Sequence, residues 1–574
     1  MRSEDLAFGV WDYIAFGGFF VVLSLVGFLA GRKERTSKED YFLAGRKLPW
    51  YVVGFSFIAS NISSEHFIGM IGASYIFGMC VSMYSWMNIL SFTFLIWLFI
   101  PFLLSARVFT TPEYLEFRFS KSLRQLFAII TVIVNIVAFL AAVLYGGGLA
   151  LNILFGVPFE LAVVVLGLVA GVWAIYGGLS SVAWTDFITV IVMVLGGLLV
   201  TFLGLKMLSD QHSVLDGLKI MFERNAAQSG MYAEAASEAA KHISENGQYN
   251  RLSVIQPASN EVVPWPMLLF GVFSISIWYN VLNQFMIQRV LGARNRHHAR
   301  MGIVLAGYLQ ILMPVIVVIP GMIMFAKHPE IMMLPWNDVK PNADMTFVKL
   351  VEMLIPIGLR GLIMAGLFAA IQSTVNSVLN STATILTLDI YKNRIRPDAS
   401  DRQLVRAGVL VSTVVLIISI VLGEFIGKLG AGLFVYIQTL YAYFAPPFSA
   451  IFLLGIFWKR TTAKGAMTGV LAGLAFGIVL KLLIYFVPDC PSWLYPFPNQ
   501  GILTWFFSMI VTILFSLRSD PPPPEKITDS FVFNFRKLKI FTDKHSKWYN
   551  SVLLWWSLFA LIIIILMILF SSAV

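Results

Sequence analysis

Apolar runs of about twenty residues, separated by short polar connectors, recur along almost the whole chain. A run of that length is what a helix needs to cross a ~30 Å hydrocarbon layer. The runs fall at 13–31, 47–76, 78–105, 123–155, 159–178, 182–209 and 264–288, and then at 300–327, 347–388, 404–427, 431–457, 463–487, 499–517 and 550–571. The pattern predicts an all-α, polytopic membrane protein with about fourteen transmembrane helices. Composition agrees, with 58% hydrophobic and only 13% charged residues in 574, against roughly 25% charged in an ordinary soluble domain.

The net charge of +10 would point to nucleic acid in a soluble chain. Here Lys and Arg concentrate in alternate connectors: Arg32 to Lys47, Arg107 to Arg124, Arg294 to Arg300, Lys392 to Arg406, Lys459 to Lys464 and Arg518 to Lys547. That is membrane orientation, so nucleic-acid binding is set aside. The positive-inside rule makes these connectors cytoplasmic, and an even helix count then places both termini outside a plasma (inner) membrane. The long connector 210–263 carries scattered Lys and Arg, but long segments obey the rule poorly, and it is read as external. The first segment follows Met1 to Asp5 without a basic n-region or cleavage site, so it is expected to stay as a helix. Cys80 and Cys490 lie too far apart in sequence to define a disulfide framework or metal cluster. The connector 518–549 opens with the stiff run Pro521 to Pro524 and looks too short for a sensor module.

Two segments carry polar blocks where a spanning helix should be apolar. Ala59 to His66 (ASNISSEH) interrupts the second, and Ser274 to Asn280 (SISIWYN), followed by Asn283-Gln284, interrupts the seventh. Single polar residues often bond neighbouring helices or their own i−4 carbonyls. A mid-membrane block holding both Glu65 and His66 is costly enough to favour a functional reading. The two interruptions stand five helices apart, and an odd number per unit makes a second unit enter from the opposite side. The parity fits a five-plus-five inverted-repeat transporter core with a discontinuous first helix in each repeat and its site at the midplane. The expected organisation is 1–46 for the first helix and basic connector, 47–209 for the first repeat, 210–263 for the external connector and 264–457 for the inverted repeat. Two additional helices then occupy 458–517, and 518–574 holds the basic linker and last helix.

In the ninth segment Ser373 and Thr374 share a helix face with the Ala370 carbonyl, at i, i+3 and i+4. Neutral oxygens of this kind suit a small hard cation, especially beside an unwound turn. Hydroxyls back-bonded within the helix are the competing reading.

Several longer motifs carry a resemblance. Asp40 to Trp50 (DYFLAGRKLPW), Ala59 to Met70 (ASNISSEHFIGM), Tyr176 to Ser180 (YGGLS) with Trp184 to Asp186 (WTD), and Gln284 to Arg289 (QFMIQR) resemble the sodium/solute symporters, sodium/glucose cotransporter branch. So do Leu379 to Tyr391 (LNSTATILTLDIY), Tyr436 to Gln438 (YIQ) and Phe457 to Thr461 (FWKRT). The likeness runs in order from about residue 10 to 570. It implies sodium-coupled import of a neutral sugar by alternating access. Sodium, the co-transported ion, would be held by the carbonyls of Ala59, Ile62 and Ala370 and the hydroxyls of Ser373 and Thr374. A further sodium near Asp186 is implied by some members, although an Asp at a helix start also serves as a cap.

The family's sugar pocket maps onto Asn61, His66, Tyr84, Ser85, Asn88, Ser276, Tyr279, Asn280, Gln310 and Gln438. Met70 and Phe434 become outer gating contacts, and Tyr279 the inner platform. Sugar-transporting relatives usually carry Glu where Ser85 stands, Lys where Gln310 stands and Asn or another residue where Ser276 stands; the tryptophan of animal members is absent at Asn280. One acidic and one basic partner are thus lost together, and with them two charge-assisted hydrogen bonds. Glucose or galactose specificity therefore does not transfer, and an inositol-like polyol or a modified sugar stands as the alternative. His66 serves either the solute or, structurally, Glu65 or a neighbouring carbonyl. A ligand-binding membrane sensor without transport is the rival of another class, and it would need an output module. No GxxxxGK[ST], HExxH or GxSxG motif assigns an enzymatic reaction, so no catalytic residue is expected, and no protein partner is evident beyond solute, sodium and the lipid bilayer.

Overall fold

The computed structural model describes residues 9–32, 37–106, 108–243, 249–426, 433–487, 489–534 and 547–571. The basic positions Lys33, Arg35 and Arg107, and residues 535–546 of the last connector, lie outside them. The described chain is built of helices, with isolated β-bridges pairing only Leu48 with Ala293 and Gln256 with Pro264.

Twelve of the described helices are long and apolar enough to cross a bilayer. The difference from fourteen has identifiable causes. The expected 47–76 segment is split: Trp50–Asn61 stops, and its outer half runs on through a bend at Gly78 into a single stretch, Glu65–Leu104. Gly78 has φ +69, and a Cβ there would lie 2.3 Å from the Arg251 carbonyl oxygen, so only glycine fits the bend. Phe159–Leu208 is one 50-residue helical run kinked at Gly178, which leaves Phe159–Gly171 too short to count as a span. The expected 347–388 segment begins instead at Leu359, because the chain breaks between Leu354 and Leu359 at Gly358, with φ +95.

The two interruptions exist, and local chemistry makes them. Trp50–Asn61 ends where Ile62 turns extended (φ −81, ψ 122). Ser60 Oγ donates to the Ser56 carbonyl at 2.7 Å and Ser63 Oγ accepts from Glu65 N at 3.1 Å, so side chains compete with the helical ladder. The helix resumes at Glu65–Met70 and Ile71–Phe77. In the seventh segment the break sits a few residues later than the serine run suggests, at Asn283 (φ −68, ψ 123), between Trp278–Leu282 and Gln284–Leu291. Both breaks flank the helix Leu359–Thr384, which is buried along nearly its entire length.

Connectors sort onto two faces. On one, Arg46 donates to the Leu291 and Val108 carbonyls, Arg118 to those of Gly455 and Trp458, and Lys526 to that of Glu116. These contacts gather the basic connectors. On the other, Val254 N donates to the Phe570 carbonyl, and Asp12 Oδ1 accepts from Gly358 N (2.7 Å) and Gly361 N (2.8 Å). The connector 210–263 is itself folded, with helices Val214–Ala226 and Gly230–Ile243 and a buried Arg251 bonded to Tyr75, Ile76 and Asn225. Burial holds the Arg251 guanidinium below its ordinary pKa.

Candidate functional site

The break at Ile62 turns backbone oxygens out of the helix, and helix Leu359–Thr384 brings hydroxyls to meet them. Thr374 Oγ1 donates to the Ile62 carbonyl at 3.3 Å, and Ser373 Oγ stands 3.2 Å from the Ala59 carbonyl oxygen. Ala370, buried one turn before Thr374, belongs to the same helix. Four of the five positions expected to hold sodium therefore touch one another, and the fifth is adjacent on the helix.

Asp186 reaches this cluster from the kinked helix. Its Oδ1 accepts from Ser373 Oγ and its Oδ2 from Ser56 Oγ, both at 2.5 Å. The fully buried Arg289 guanidinium lies 3.7 Å from Oδ2, donates to Ser56 Oγ at 3.1 Å, and bonds Ser377 Oγ and the Phe285 carbonyl. Asp186 is not a helix-start cap. It lies eight residues beyond the kink at Gly178, inside the helix, where burial demands a partner and Arg289 is that partner. The Ser373 hydroxyl donates its hydrogen to the carboxylate, so its lone pairs are left to face a cation.

Next to this oxygen cluster, with Asn61 in its wall, is a cavity of about 60 Å³. At ~10–15 Å³ per water that is room for about four to six water molecules. Nine of the ten residues expected to bind solute line it: Asn61, His66, Tyr84, Ser85, Asn88, Ser276, Tyr279, Gln310 and Gln438. Asn280 does not. Its Nδ2 donates to Asn88 Oδ1 and Ser91 Oγ, each at 2.9 Å, so it braces the wall from behind. Met70 lines the cavity, whereas Phe434 stands outside it and meets the Tyr84 ring edge-on at 4.9 Å. Tyr84 OH donates to the Val262 carbonyl at 2.8 Å, tying this part of the cavity wall to the end of the 210–263 connector. On the inner side Tyr279 OH donates to Asn61 Oδ1 at 2.8 Å, and its ring packs 5.6 Å from Tyr441.

Three features of the lining escape motif matching. Glu65 is a wall residue whose Oε1 accepts from Gln438 Nε2 at 2.8 Å. The Glu65–His66 pairing weighed from the sequence is not made, and His66 Nδ1 and Ser85 Oγ are buried without a hydrogen-bond partner among the described residues. Tyr441 lies one turn from Gln438, and that i+3 spacing could have found it. Met83 and Met87 lie beside Tyr84 and Asn88 on the same turns, and Met267, Gly271 and Ile275 follow one another at i+4.

Comparisons with known proteins give the family and the fold. Residues 41–473 match the sodium:solute symporter family. The chain is 35% identical to a sodium/glucose cotransporter of Vibrio parahaemolyticus, over 92% of this chain and 95% of the relative. It is 32% identical to a human sodium/myo-inositol cotransporter, over 91% of this chain and 75% of that one. Among solved structures, a Na+-coupled sialic acid symporter in a substrate-bound, outward-open state superposes with a TM-score of 0.73 at 22% identity, covering 89% of this chain and 99% of that one. That last likeness speaks to the fold alone.

Proposed function

Because this chain belongs to the sodium:solute symporter family, we propose that it imports a neutral monosaccharide on the sodium gradient, through the cavity and the oxygen cluster described above. The observation that carries the reading is their junction. Ala59 and Ile62, whose carbonyls face Ser373 and Thr374, flank Asn61, whose Oδ1 accepts from Tyr279 OH and whose Nδ2 donates to Gln310 Oε1 in the cavity wall. A sodium ion seated among the carbonyls of Ala59, Ile62 and Ala370 and the two hydroxyls fixes the unwound turn, and with it the orientation of Asn61. Solute and ion thereby each prefer the conformation the other needs, which is the thermodynamic content of coupling.

Asp186 supplies the negative charge for this neutral ligand set from one bond away, through Ser373, and Arg289 keeps it compensated when sodium leaves. In this reading Asp186 positions the ion's ligand; with Ser56, Ser373 and Arg289 already on its oxygens, it does not need a second sodium. The basic face is cytoplasmic, both ends of the described chain are extracytoplasmic, and the molecule operates in the plasma membrane. The two sets of five helices, 47–209 and 264–457, rock about the broken helices. A membrane potential of ~100 mV contributes about 2.3 kcal/mol per charge, so one sodium sustains roughly a 50-fold solute gradient before its own chemical gradient is added.

A polyol is the second reading, favoured by the similarity to myo-inositol cotransporters and by Ser85 and Gln310, which leave this part of the lining uncharged. Proteoliposomes under an inward sodium gradient test the proposal directly. Accumulation of sugar or polyol in sodium and none in potassium is expected. Equal transport in both ions refutes the coupling.

A further inference from the structure

A second cavity lies among the basic connectors and shares no lining residue with the first. Its volume is about 410 Å³, within the ~300–1,000 Å³ usual for small-molecule sites. Lys38 reaches it from the short helix Lys38–Leu43 of the first connector, and Lys121 and Arg124 from the start of helix Lys121–Val134. Lys392 comes from the far end of the long span that also carries Ser373. Membrane orientation asks that such cations lie on one face; it does not ask them to converge on one cleft.

The four cations are unequally compensated. Arg124 is paired twice, with Glu116 at 2.7 Å and Asp389 at 2.5 Å. Among the described residues no ion pair engages the ammonium groups of Lys38, Lys121 or Lys392. Glu113, the carboxylate of the lining, accepts from the Phe109 amide at 2.7 Å, and nearby Asp401 accepts from the Lys38 backbone amide at 3.4 Å. Lys38 and Lys392 face each other closely enough to repel. Beside Lys392, Asn393 Nδ2 is a buried donor with no acceptor among the described residues.

We infer that this cleft binds a phosphate monoester. Such a group is close to a dianion at pH 7 and offers three terminal oxygens, which accept from several donors at once. Placed between Lys38 and Lys392 it turns one repulsion into two attractions, and it gives the Asn393 amide an acceptor. A carboxylate brings one charge and two oxygens, a poorer match to three lysines and an amide. Phosphate alone leaves much of the cleft unfilled, and Phe109, Leu388 and Pro397 offer the organic part of an ester an apolar wall. That ester is either a soluble metabolite or the headgroup of phosphatidic acid. Its donors come from three separate stretches of the chain, so a bound ester fastens them together.

The full-length protein in phosphatidylcholine nanodiscs tests this, with the melting temperature followed against glycerol 3-phosphate at an ionic strength held constant with chloride. We expect a saturable rise. Lys392→Gln and Lys121→Gln should each raise the half-saturating concentration about tenfold or more. Neither side chain is in an ion pair, so both variants should fold. Lys47→Gln removes the same charge from the first basic connector outside the cleft and should leave that concentration unchanged. Nanodiscs containing phosphatidic acid separate the two sources. If the lipid supplies the phosphate, they raise the parent's melting temperature but not that of Lys392→Gln, and blunt the response to glycerol 3-phosphate; if a soluble ester is the ligand, that response persists. A rise that chloride reproduces, or that both variants retain at the parent's concentrations, overturns the inference, as does no response to either form of phosphate. None of these results bears on sodium-driven uptake.

Discussion

Removing the Ser373 hydroxyl separates a cation ligand from a packing group. In the structure Ser373 Oγ donates to Asp186 Oδ1 at 2.5 Å and lies 3.2 Å from the Ala59 carbonyl oxygen. Ser373→Ala deletes one of five oxygens offered to sodium and also cuts the link through which Asp186 compensates the ion's charge. A hydrogen bond to a charged group contributes about 1.5–3 kcal/mol, so the sodium concentration for half-maximal uptake should rise roughly tenfold to a hundredfold. Folding should suffer less, because Asp186 keeps Ser56 and Arg289 and the lost volume is one oxygen. Thr374→Ala should behave similarly but more mildly, since its hydroxyl faces only the Ile62 carbonyl. Ser377→Ala is the control: that hydroxyl serves Arg289 and Ser60 and is not a proposed ligand. The assay is initial solute uptake in proteoliposomes against sodium concentration, at fixed ionic strength, with melting temperatures of the same preparations. Identical sodium activation in parent, Ser373→Ala and Thr374→Ala would refute the assignment, as would an equal shift in Ser377→Ala.

Other outcomes follow from the same geometry. Gln438→Ala releases the Glu65 carboxylate and Asn61→Ala removes the Tyr279 hydroxyl's acceptor; each should raise the half-saturating solute concentration about tenfold, and unchanged values for both would move the pocket elsewhere. Asp186→Asn and Arg289→Gln each strand a buried charge at a cost of about 3–5 kcal/mol, so the double variant should melt above the sum expected from the singles; strict additivity in a double-mutant cycle would dissolve the pair. Asp12→Ala removes the acceptor of the Gly358 and Gly361 amides and should destabilise by about 1–2 kcal/mol, with sodium and solute half-saturation unmoved; an unaltered melting temperature would argue against the cap.

The membrane class, the register of most spans and the sites of interruption were legible because they depend on short-range physics. Length and hydropathy decide what crosses a bilayer, and runs such as Ser60 to Ser64 carry their own alternative hydrogen bonds. Nine of the ten residues expected at the solute site line the cavity, although only Asn61, His66 and Gln438 among them lie within the long motifs. Asn280 was misplaced because pattern matching gives a residue's neighbourhood and not its side-chain direction, and here the amide turns to Asn88 and Ser91.

Tertiary structure alone decided the rest. Which groups neutralise one another across a hundred residues has no local signature: Asp186 finds Arg289 only when the kinked helix packs beside the second broken one. Asp12 serves a helix that begins 347 residues later, and Arg251 reaches back to Tyr75 and Ile76. Hydrophobicity makes the spanning helices enter the membrane, but it is nearly silent on rotation, because lipid and protein interior are equally apolar and it is close packing and buried polar contacts that fix each helix about its axis.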